Sequence, residues 1–201
     1  MFYRAVFTRP AGMIYDNFNE PIHAVDDFSI PNDWPRFMGQ DYGGVNTAAV
    51  YLAQDPQNDR LYLYREYWQG GRTAQQHKDA MVSGEPGIPT AFGGAPSEEQ
   101  WRREFRTSGM LVQRPPISDV EVGINRVYGL ISQDRLRVFK SCTAVLDEIA
   151  SYSRETDDAG NVTEKIQDKN SYHLLDALRY ISSHLNKGQV KVSGAKENPF
   201  Y

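Results

Sequence analysis

Four acidic residues lie where the predicted strands end or the predicted helices begin. Asp41 ends a short apolar strand, and Asp176 lies on the last predicted helix. Glu98 and Glu99 begin a helix shortly after Gly93-Gly94. Because strand ends and helix starts on one edge of a sheet lie close together, we expect these carboxylates to converge. Two or three such groups bind Mg²⁺ or Mn²⁺ through hard oxygen ligands. Two ions about 4 Å apart activate a water molecule for phosphodiester cleavage.

Each acid also has a purely structural interpretation, and residue type alone does not decide between the two. Asp41 precedes Gly43 and fits a turn. Glu98 and Glu99 fit the first turn of a helix, where the helix dipole favours acids regardless of function. Asp176 fits the polar face of an amphipathic helix.

The last helix has one apolar stripe and one polar face. Leu174, Leu178, Ile181 and Leu185 recur at helical spacing and predict the buried stripe. Asp176 points away from the stripe, and its neighbours on the helix surface include Tyr172, His173 and Arg179. The helix therefore presents an acid, an imidazole and a guanidinium on one side.

Several common catalytic motifs do not occur in the sequence. It contains no Gly-x-x-x-x-Gly-Lys-Ser/Thr loop, no Gly-x-Gly-x-x-Gly, no His-Glu-x-x-His and no Gly-x-Ser-x-Gly. Four histidines are scattered, so a zinc site is not predicted. Cys142 is the only cysteine, which excludes an internal disulfide and fits a reducing, cytosolic setting.

The length of the chain fits one sizeable domain, or one domain with appendages. The chain has 201 residues, a formal net charge of −4 and no apolar run long enough for a bilayer, so no membrane role is predicted. Its charge is uneven: residues 101–140 contain eight basic and four acidic residues, and seven of the eight are arginine. Arginine suits phosphate recognition. This middle segment is interpreted either as a phosphate-facing surface or as ordinary charge scatter.

The order of predicted elements indicates a mixed sheet. Three strands joined by short loops (about 36–41, 47–53 and 61–68) form an antiparallel meander, and strands then alternate with helices. Thr73 is predicted to cap a helix, and capping boxes are predicted at Ser97–Gln100 and Ser118–Glu121. Residues 151–168 predict an added β-hairpin. The fold class is therefore α/β, with helices on both faces of the sheet.

At this point the residues resemble a known family, the nuclease domain of large terminase subunits from tailed bacteriophages, which has a ribonuclease H-like fold. The specific matches are Gly39-Gln-Asp-Tyr-Gly43 and His173-Leu-Leu-Asp-Ala-Leu-Arg-Tyr180. Looser matches span most of the chain: Gly12–Asp16, Trp34–Arg36, Leu61–Trp68, Gly93–Arg102 and Val122–Tyr128.

The resemblance implies a catalytic and metal-binding set. The family's first-strand acid matches Asp41, and its last-helix acid matches Asp176. A further acid is expected at the end of the fourth strand, where this sequence has Gly94 and Ala95. Glu98 is the predicted replacement and Glu99 the reserve. His173 and Arg179 are predicted to support the site, and DNA phosphates are expected to contact Arg102, Arg106 and Arg126.

The resemblance further implies an Mg²⁺- or Mn²⁺-dependent endonuclease that cuts concatemeric viral double-stranded DNA during packaging in the host cytoplasm. Its implied partners are an upstream ATPase motor, the portal protein and the small terminase subunit. Residues 1–35 are expected to be a lead-in from the absent motor, 36–185 the nuclease domain and 186–201 a flexible tail. One alternative is a catalytically weakened module that docks DNA or portal. Another is a resolvase- or transposase-type nuclease, because fold does not fix substrate.

Overall fold

The computed structural model describes residues 12–43 and 45–185. The predicted C-terminal tail, Gly44 and the first eleven residues lie outside these ranges. The strands are β1 (Ala24–Val25), β2 (Arg36–Tyr42), β3 (Asn46–Gln54), β4 (Leu61–Gly70), β5 (Thr90–Gly93), β6 (Val112–Gln113), β7 (Leu136–Phe139), β8 (Arg154–Thr156) and β9 (Val162–Ile166). The helices are α1 (Glu20–His23), α2 (Ala74–Val82), α3 (Glu99–Thr107), α4 (Val120–Ser132), α5 (Thr143–Ser151) and α6 (His173–Leu185).

A seven-stranded mixed sheet forms the centre of the molecule, with strand order β1-β7-β4-β3-β2-β5-β6. The strands β2, β3 and β4 are antiparallel, which confirms the predicted meander. The other pairs, β2 with β5, β5 with β6, β4 with β7 and β1 with β7, are parallel. The carboxyl ends of β2 and β5 therefore lie side by side at one edge of the sheet.

Helices cover both faces of the sheet, as predicted. Alternate residues of β3 point to opposite faces. Val50 and Leu52 join an apolar cluster with residues of α4, α5 and α6. Ala49 and Tyr51 join a second cluster with residues of α2 and α3. The continuous burial of β3 follows from this two-sided packing.

Residues 12–25 pack against the domain, which their lack of periodicity did not predict. Tyr15 is fully buried, and Ile14 and Phe18 belong to the same core cluster as α6. The short strand β1 pairs with β7 at the edge of the sheet. This part of the expected lead-in therefore contributes to the core through Tyr15, whose ring packs 5.4 Å from that of Tyr152.

The predicted hairpin and helix caps are partly confirmed. The strands β8 and β9 form a separate two-stranded sheet, and Thr73 caps α2. The two predicted capping boxes are displaced. A 3₁₀ turn (Pro96–Glu98) precedes α3, so Ser97 does not cap it. Asp119 rather than Ser118 caps α4, because its carboxylate accepts the N–H of Val122. Among the described residues, no helix is long and apolar enough to cross a membrane.

Candidate functional site

At Gly39, the backbones of the strand β2 and the helix α6 meet without a side chain between them. A Cβ atom at Gly39 would overlap the carbonyl oxygen of Ala177, so glycine allows the helix backbone to lie directly on the strand. Asp41 follows two residues later on β2, and its side chain is about one-tenth exposed. His173, the first residue of α6, places Nδ1 2.8 Å from Oδ2 of Asp41. The structure therefore brings together these two predicted residues.

Asp176 lies one turn further along α6 and is held by Arg179. Oδ1 of Asp176 accepts hydrogen bonds from Nε of Arg179 at 3.0 Å and from Nη2 at 2.6 Å. Arg179 is only 3% exposed. Its aliphatic part packs on α4 at Gly123, where a Cβ atom would stand 3.2 Å from the arginine side chain. Arg179 thus fixes the orientation of the carboxylate.

Glu98 lies in the turn that follows β5. Residue Gly93 pairs with Gln40 of β2, and the N–H of Gly94 donates to the carbonyl oxygen of Gln40 at 3.1 Å. This pairing places the turn beside Asp41. The N–H of Ala95 donates to Oε2 of Glu98 at 2.5 Å, which points the glutamate back toward the strand end.

Gly94, one of the two positions where the family resemblance implies an acid, is tightly packed. Gly94 has φ +77°, and a Cβ atom there would lie 2.7 Å from the ring of Tyr42 and 2.8 Å from Nη1 of Arg102. An aspartate at 94 would clash with both and strain the backbone. Glycine at this position is therefore a consequence of packing as well as a departure from the expected acid.

Arg102, one of the residues predicted to contact DNA, is turned into the protein. It is 2% exposed, and its Nη1 donates to the carbonyl oxygens of Gly93, Gly94 and Ala95 at 3.0 to 3.1 Å. Its Nε donates to Oε2 of Glu99 at 3.0 Å. Reaching a phosphate would break these bonds, and the contact of Arg102 with DNA stays an untested prediction. Arg102 instead holds the turn that carries Glu98.

The two other arginines predicted to contact DNA lie on different helices. Arg106 is exposed on α3, and Arg126 is half-buried on α4. Arg106 lies near enough to Glu99 for its charge to contribute to the lowered pKa of that acid. Their contact with phosphate stays a prediction.

The three acids share one electrostatic environment. Burial raises the pKa of Asp41, the His173 hydrogen bond opposes that rise, and the charge of Asp176 adds to it. Burial likewise raises the pKa of Glu98; the N–H of Ala95 opposes this, while the charges of Asp41 and Asp176 contribute. Such mutual repulsion arises only between carboxylates that lie near one another.

Tyr180 lies among the same acids and was not singled out in the sequence. Burial raises its pKa to about 12, and the charges of Asp41, Asp176 and Glu98 add to the rise. Its position four residues after Asp176 on a helix was the available signal, because such residues are neighbours on the helix surface. Glu99 differs from these groups, since its pKa is lowered by a hydrogen bond from Arg102 and by nearby arginines.

The donor set suits a hard divalent cation. One oxygen each of Asp41, Asp176 and Glu98 accepts the hydrogen bonds described above, and the other has no hydrogen-bond partner among the described residues. Within residues 12–43 and 45–185, no three acidic, cysteine or histidine side chains lie close enough to hold one ion. The acids therefore fit such an ion by chemistry and charge, and their side chains would have to turn toward it.

Comparison with known proteins assigns the chain to a family. A sequence model described as the Terminase RNaseH-like domain matches residues 33–185. The chain belongs to this family. The large terminase subunit of Salmonella phage P22 is 28% identical over 193 residues, which cover 88% of the chain and 36% of that subunit. The chain thus spans little more than a third of the length of this relative.

Solved structures confirm the ribonuclease H-like fold class. The P22 large terminase nuclease domain is 25% identical with a TM-score of 0.66, covering 86% of the chain and 92% of that domain. The nuclease domain of the bacteriophage SPP1 large terminase, solved with bound Mn, has a TM-score of 0.59 at 18% identity. The match covers 73% of the chain and 84% of that domain. The large terminase nuclease of thermophilic phage G20c, solved with bound cobalt, has a TM-score of 0.60 at 13% identity. The match covers 86% of the chain and 98% of that nuclease. The last two show the fold alone.

Proposed function

We propose that the chain is the nuclease part of a phage terminase large subunit and that it cuts concatemeric viral double-stranded DNA with divalent metal ions. One observation carries this proposal. Asp41, Glu98 and Asp176 are contributed by a strand end, a turn and a helix at one edge of the sheet. His173 of α6 is bonded to Asp41, and the turn that carries Glu98 is bonded to Gln40, next to Asp41. Carboxylates brought together in a partly buried setting are typical of sites that bind a cation or a phosphate.

Asp41 and Asp176 would hold the metal together with Glu98, and Glu99 is the reserve ligand. Glu98 is preferred because its carboxylate interacts with the other two acids, whereas Glu99 is paired with Arg102. The manganese and cobalt found in the SPP1 and G20c nucleases support a divalent ion, with Mg²⁺ or Mn²⁺ proposed here and two ions in the full site. Such ions activate water and stabilise the leaving oxygen of a phosphodiester.

The protein's own groups orient the acids. His173 holds Asp41 through its Nδ1 atom, and Arg179 holds Asp176 through two N–H groups. Asp41 and Asp176 would each keep their second carboxylate oxygen available for a metal ion. Arg106 and Arg126 are proposed to contact phosphates of the DNA backbone. Both are arginines, whose planar guanidinium groups match phosphate geometry.

The remaining parts of the packaging machine are also proposals. As part of a large terminase subunit, the chain would follow an ATPase motor domain. Residues 1–35 would connect the two, with residues 12–25 of this connection packed on the nuclease domain. Residues 36–185 would be the nuclease domain. Portal protein and small terminase subunit are the proposed partners, in the host cytoplasm. Tethering to the motor would compensate for weak intrinsic DNA affinity.

A second candidate function follows from the packed, non-acidic turn. Because the end of β5 carries Gly94 and Ala95 where the resemblance implies an acid, the domain is alternatively a docking module for DNA or portal without cleavage. A resolvase- or transposase-type nuclease on this fold would differ from a terminase nuclease in its DNA substrate. Branched and linear DNA compared in one cleavage assay separate it from a terminase nuclease.

The deciding experiment is cleavage of supercoiled plasmid with Mg²⁺ or Mn²⁺, using the wild-type chain and the Asp176→Ala variant. We expect wild type to cut only with metal and the variant to lose cutting by about 10³-fold or more while keeping its circular dichroism spectrum. Asp79→Asn, on the exposed face of α2, is the matched control and should cut like wild type. Undiminished cleavage by Asp176→Ala would refute the assignment, and no cleavage by wild type with retained DNA binding would favour the docking module.

A further inference from the structure

A buried carboxylate from a neighbouring helix caps the start of α6. Glu148, on α5, is 7% exposed. Its Oε1 accepts the N–H of Leu174 at 3.3 Å, and its Oε2 accepts the N–H of Leu175 at 2.9 Å. These are the second and third residues of α6, whose N–H groups have no partner within the helix itself. The carboxylate therefore ties the first turn of α6 to α5.

The same arrangement occurs one element earlier. Glu66, on β4, accepts the N–H of Ala144 through Oε1 at 3.1 Å and that of Val145 through Oε2 at 2.8 Å. These are again the second and third residues of a helix, α5. The cap residue of α5, Cys142, makes no side-chain cap hydrogen bond of its own. Glu66 thus fixes α5 to the sheet in the way that Glu148 fixes α6 to α5.

The two carboxylates form a chain of contacts from the sheet to the acids of the site. The first turn of α6 begins with His173, which is bonded to Asp41, and Asp176 follows two residues after Leu174. The N–H of Asp176 itself donates to the carbonyl oxygen of Tyr172, and the Tyr172 hydroxyl donates to the carbonyl oxygen of Ser151 at 3.0 Å. The start of α6 is therefore held against α5 on both sides.

We propose that Glu148 is a positioning residue for the acid-bearing turn of α6, with Glu66 supporting it through α5. This inference rests on the proposed nuclease function for its activity readout. Glu148 touches neither DNA nor metal; it sets where His173 and Asp176 stand relative to Asp41. Groups that orient metal-binding side chains from outside the site affect activity strongly through small displacements.

The test compares Glu148→Gln with Glu85→Gln in the same chain. Glutamine keeps the size of the side chain and one acceptor oxygen but cannot accept both N–H groups. Glu85 is a matched control because its side chain is also buried, 3% exposed, and accepts bonds from Arg36, Tyr64 and Arg65 in a different part of the fold. Both variants lose a buried carboxylate, but only one loses the tie to α6.

The expected result is a split between binding and cleavage. Glu148→Gln should lower the single-turnover cleavage rate at saturating metal by about tenfold or more while leaving the DNA Kd within about twofold. Glu85→Gln should lower the unfolding midpoint without a matching loss of cleavage. Glu66→Gln should lower cleavage in the same direction, and the double variant should lose less than the product of the two single losses. Cleavage by Glu148→Gln at the wild-type rate overturns the inference, as does a loss in both Glu148→Gln and Glu85→Gln that merely follows the unfolded fraction.

A second readout does not depend on cleavage. Amide hydrogen exchange in the metal-free chain should accelerate at Leu174 and Leu175 and through Asp176 in Glu148→Gln, and stay unchanged there in Glu85→Gln. If the wild-type chain does not cut DNA, the nuclease proposal fails while this measurement still decides whether Glu148 orders the turn. Wild-type exchange at these amides in Glu148→Gln would overturn the positioning role.

Discussion

Arg179 gives two hydrogen bonds to a single oxygen of Asp176. Its Nε and Nη2 atoms both lie within 3.0 Å of Oδ1, and its guanidinium carbon lies 5.3 Å from the centre of the Tyr180 ring. The arginine is almost wholly buried, whereas the aspartate side chain is 25% exposed. The two hydrogen bonds therefore hold the Asp176 carboxylate at the surface of the site, while Arg179 stays in the protein interior.

Removing this arginine should cost stability. In Arg179→Met the carboxylate loses both N–H groups while much of the packing on Gly123 is kept, so we expect the free energy of unfolding to fall by about 2 kcal/mol. Urea denaturation of the metal-free chain measures this. Arg154→Met is the control, because its pair with Glu121 is more exposed and should contribute less than about 1 kcal/mol. Equal losses in the two variants would contradict the buried role of Arg179.

Glu98 and Glu99 should differ sharply in their effect on cleavage. Glu98 interacts electrostatically with Asp41 and Asp176, whereas Glu99 is paired with Arg102 and Arg103. We expect Glu98→Gln to lower the cleavage rate by about 10²-fold or more and Glu99→Gln by less than about threefold. Cleavage rates measured across a range of Mn²⁺ concentrations compare the two. The reverse order would make the reserve residue the ligand.

The sequence predicted the elements that carry the acids better than the contacts between them. The apolar stripe of α6 and the three-stranded meander follow from local periodicity, and the resemblance to terminase nucleases supplied the fold around them. The contact of Gly39 with Ala177 depends on two segments far apart in the chain. No periodic pattern specifies such a pairing, although a glycine inside a strand is a general sign of close backbone approach.

The roles of Arg102 and Glu148 could not be predicted from residue type. An arginine on a helix in a basic segment suggests a phosphate contact, but Arg102 donates hydrogen bonds to three carbonyl oxygens of the neighbouring turn. Glu148 is one of several acids near α5, and its value as a cap appears only when α6 is placed beside it. Both cases depend on which main-chain groups the fold leaves without partners.

Variants of Arg102 and Arg106 should show which arginine stabilises the fold and which binds DNA. Arg102→Gln leaves the carbonyl oxygens of the 93–95 turn without their donor, so it should lower the free energy of unfolding by about 2 kcal/mol. Arg106→Gln, on the exposed face of α3, should leave stability within about 0.5 kcal/mol. If Arg106 contacts a phosphate, its variant should also reduce the salt dependence of DNA binding by about one unit of slope. Denaturation and salt titration of DNA affinity measure both effects, and an unchanged slope would remove Arg106 from the DNA contact.

Glu148 should make the stability of the chain depend on pH. Burial raises its pKa from the ordinary 4.5 to about 7, against the opposing effect of the two backbone N–H groups. The folded state therefore binds a proton that the unfolded state has released between these pH values, so its contribution to stability is present below pH 4.5 and is lost as pH rises to about 7. A shift of this size corresponds to about 3 kcal/mol.

Comparing unfolding free energies of wild type and Glu148→Gln from pH 4 to pH 8 isolates this group, because all other titrating residues are shared. We expect the free energy of unfolding of wild type to fall relative to that of the variant as pH rises, mainly between pH 4.5 and about 7. Above that range the difference should stay constant. Glu85→Gln, measured alongside, controls for the loss of a buried carboxylate elsewhere. Parallel profiles for wild type and Glu148→Gln would mean that the carboxyl group of Glu148 ionises in the folded chain as it does in water.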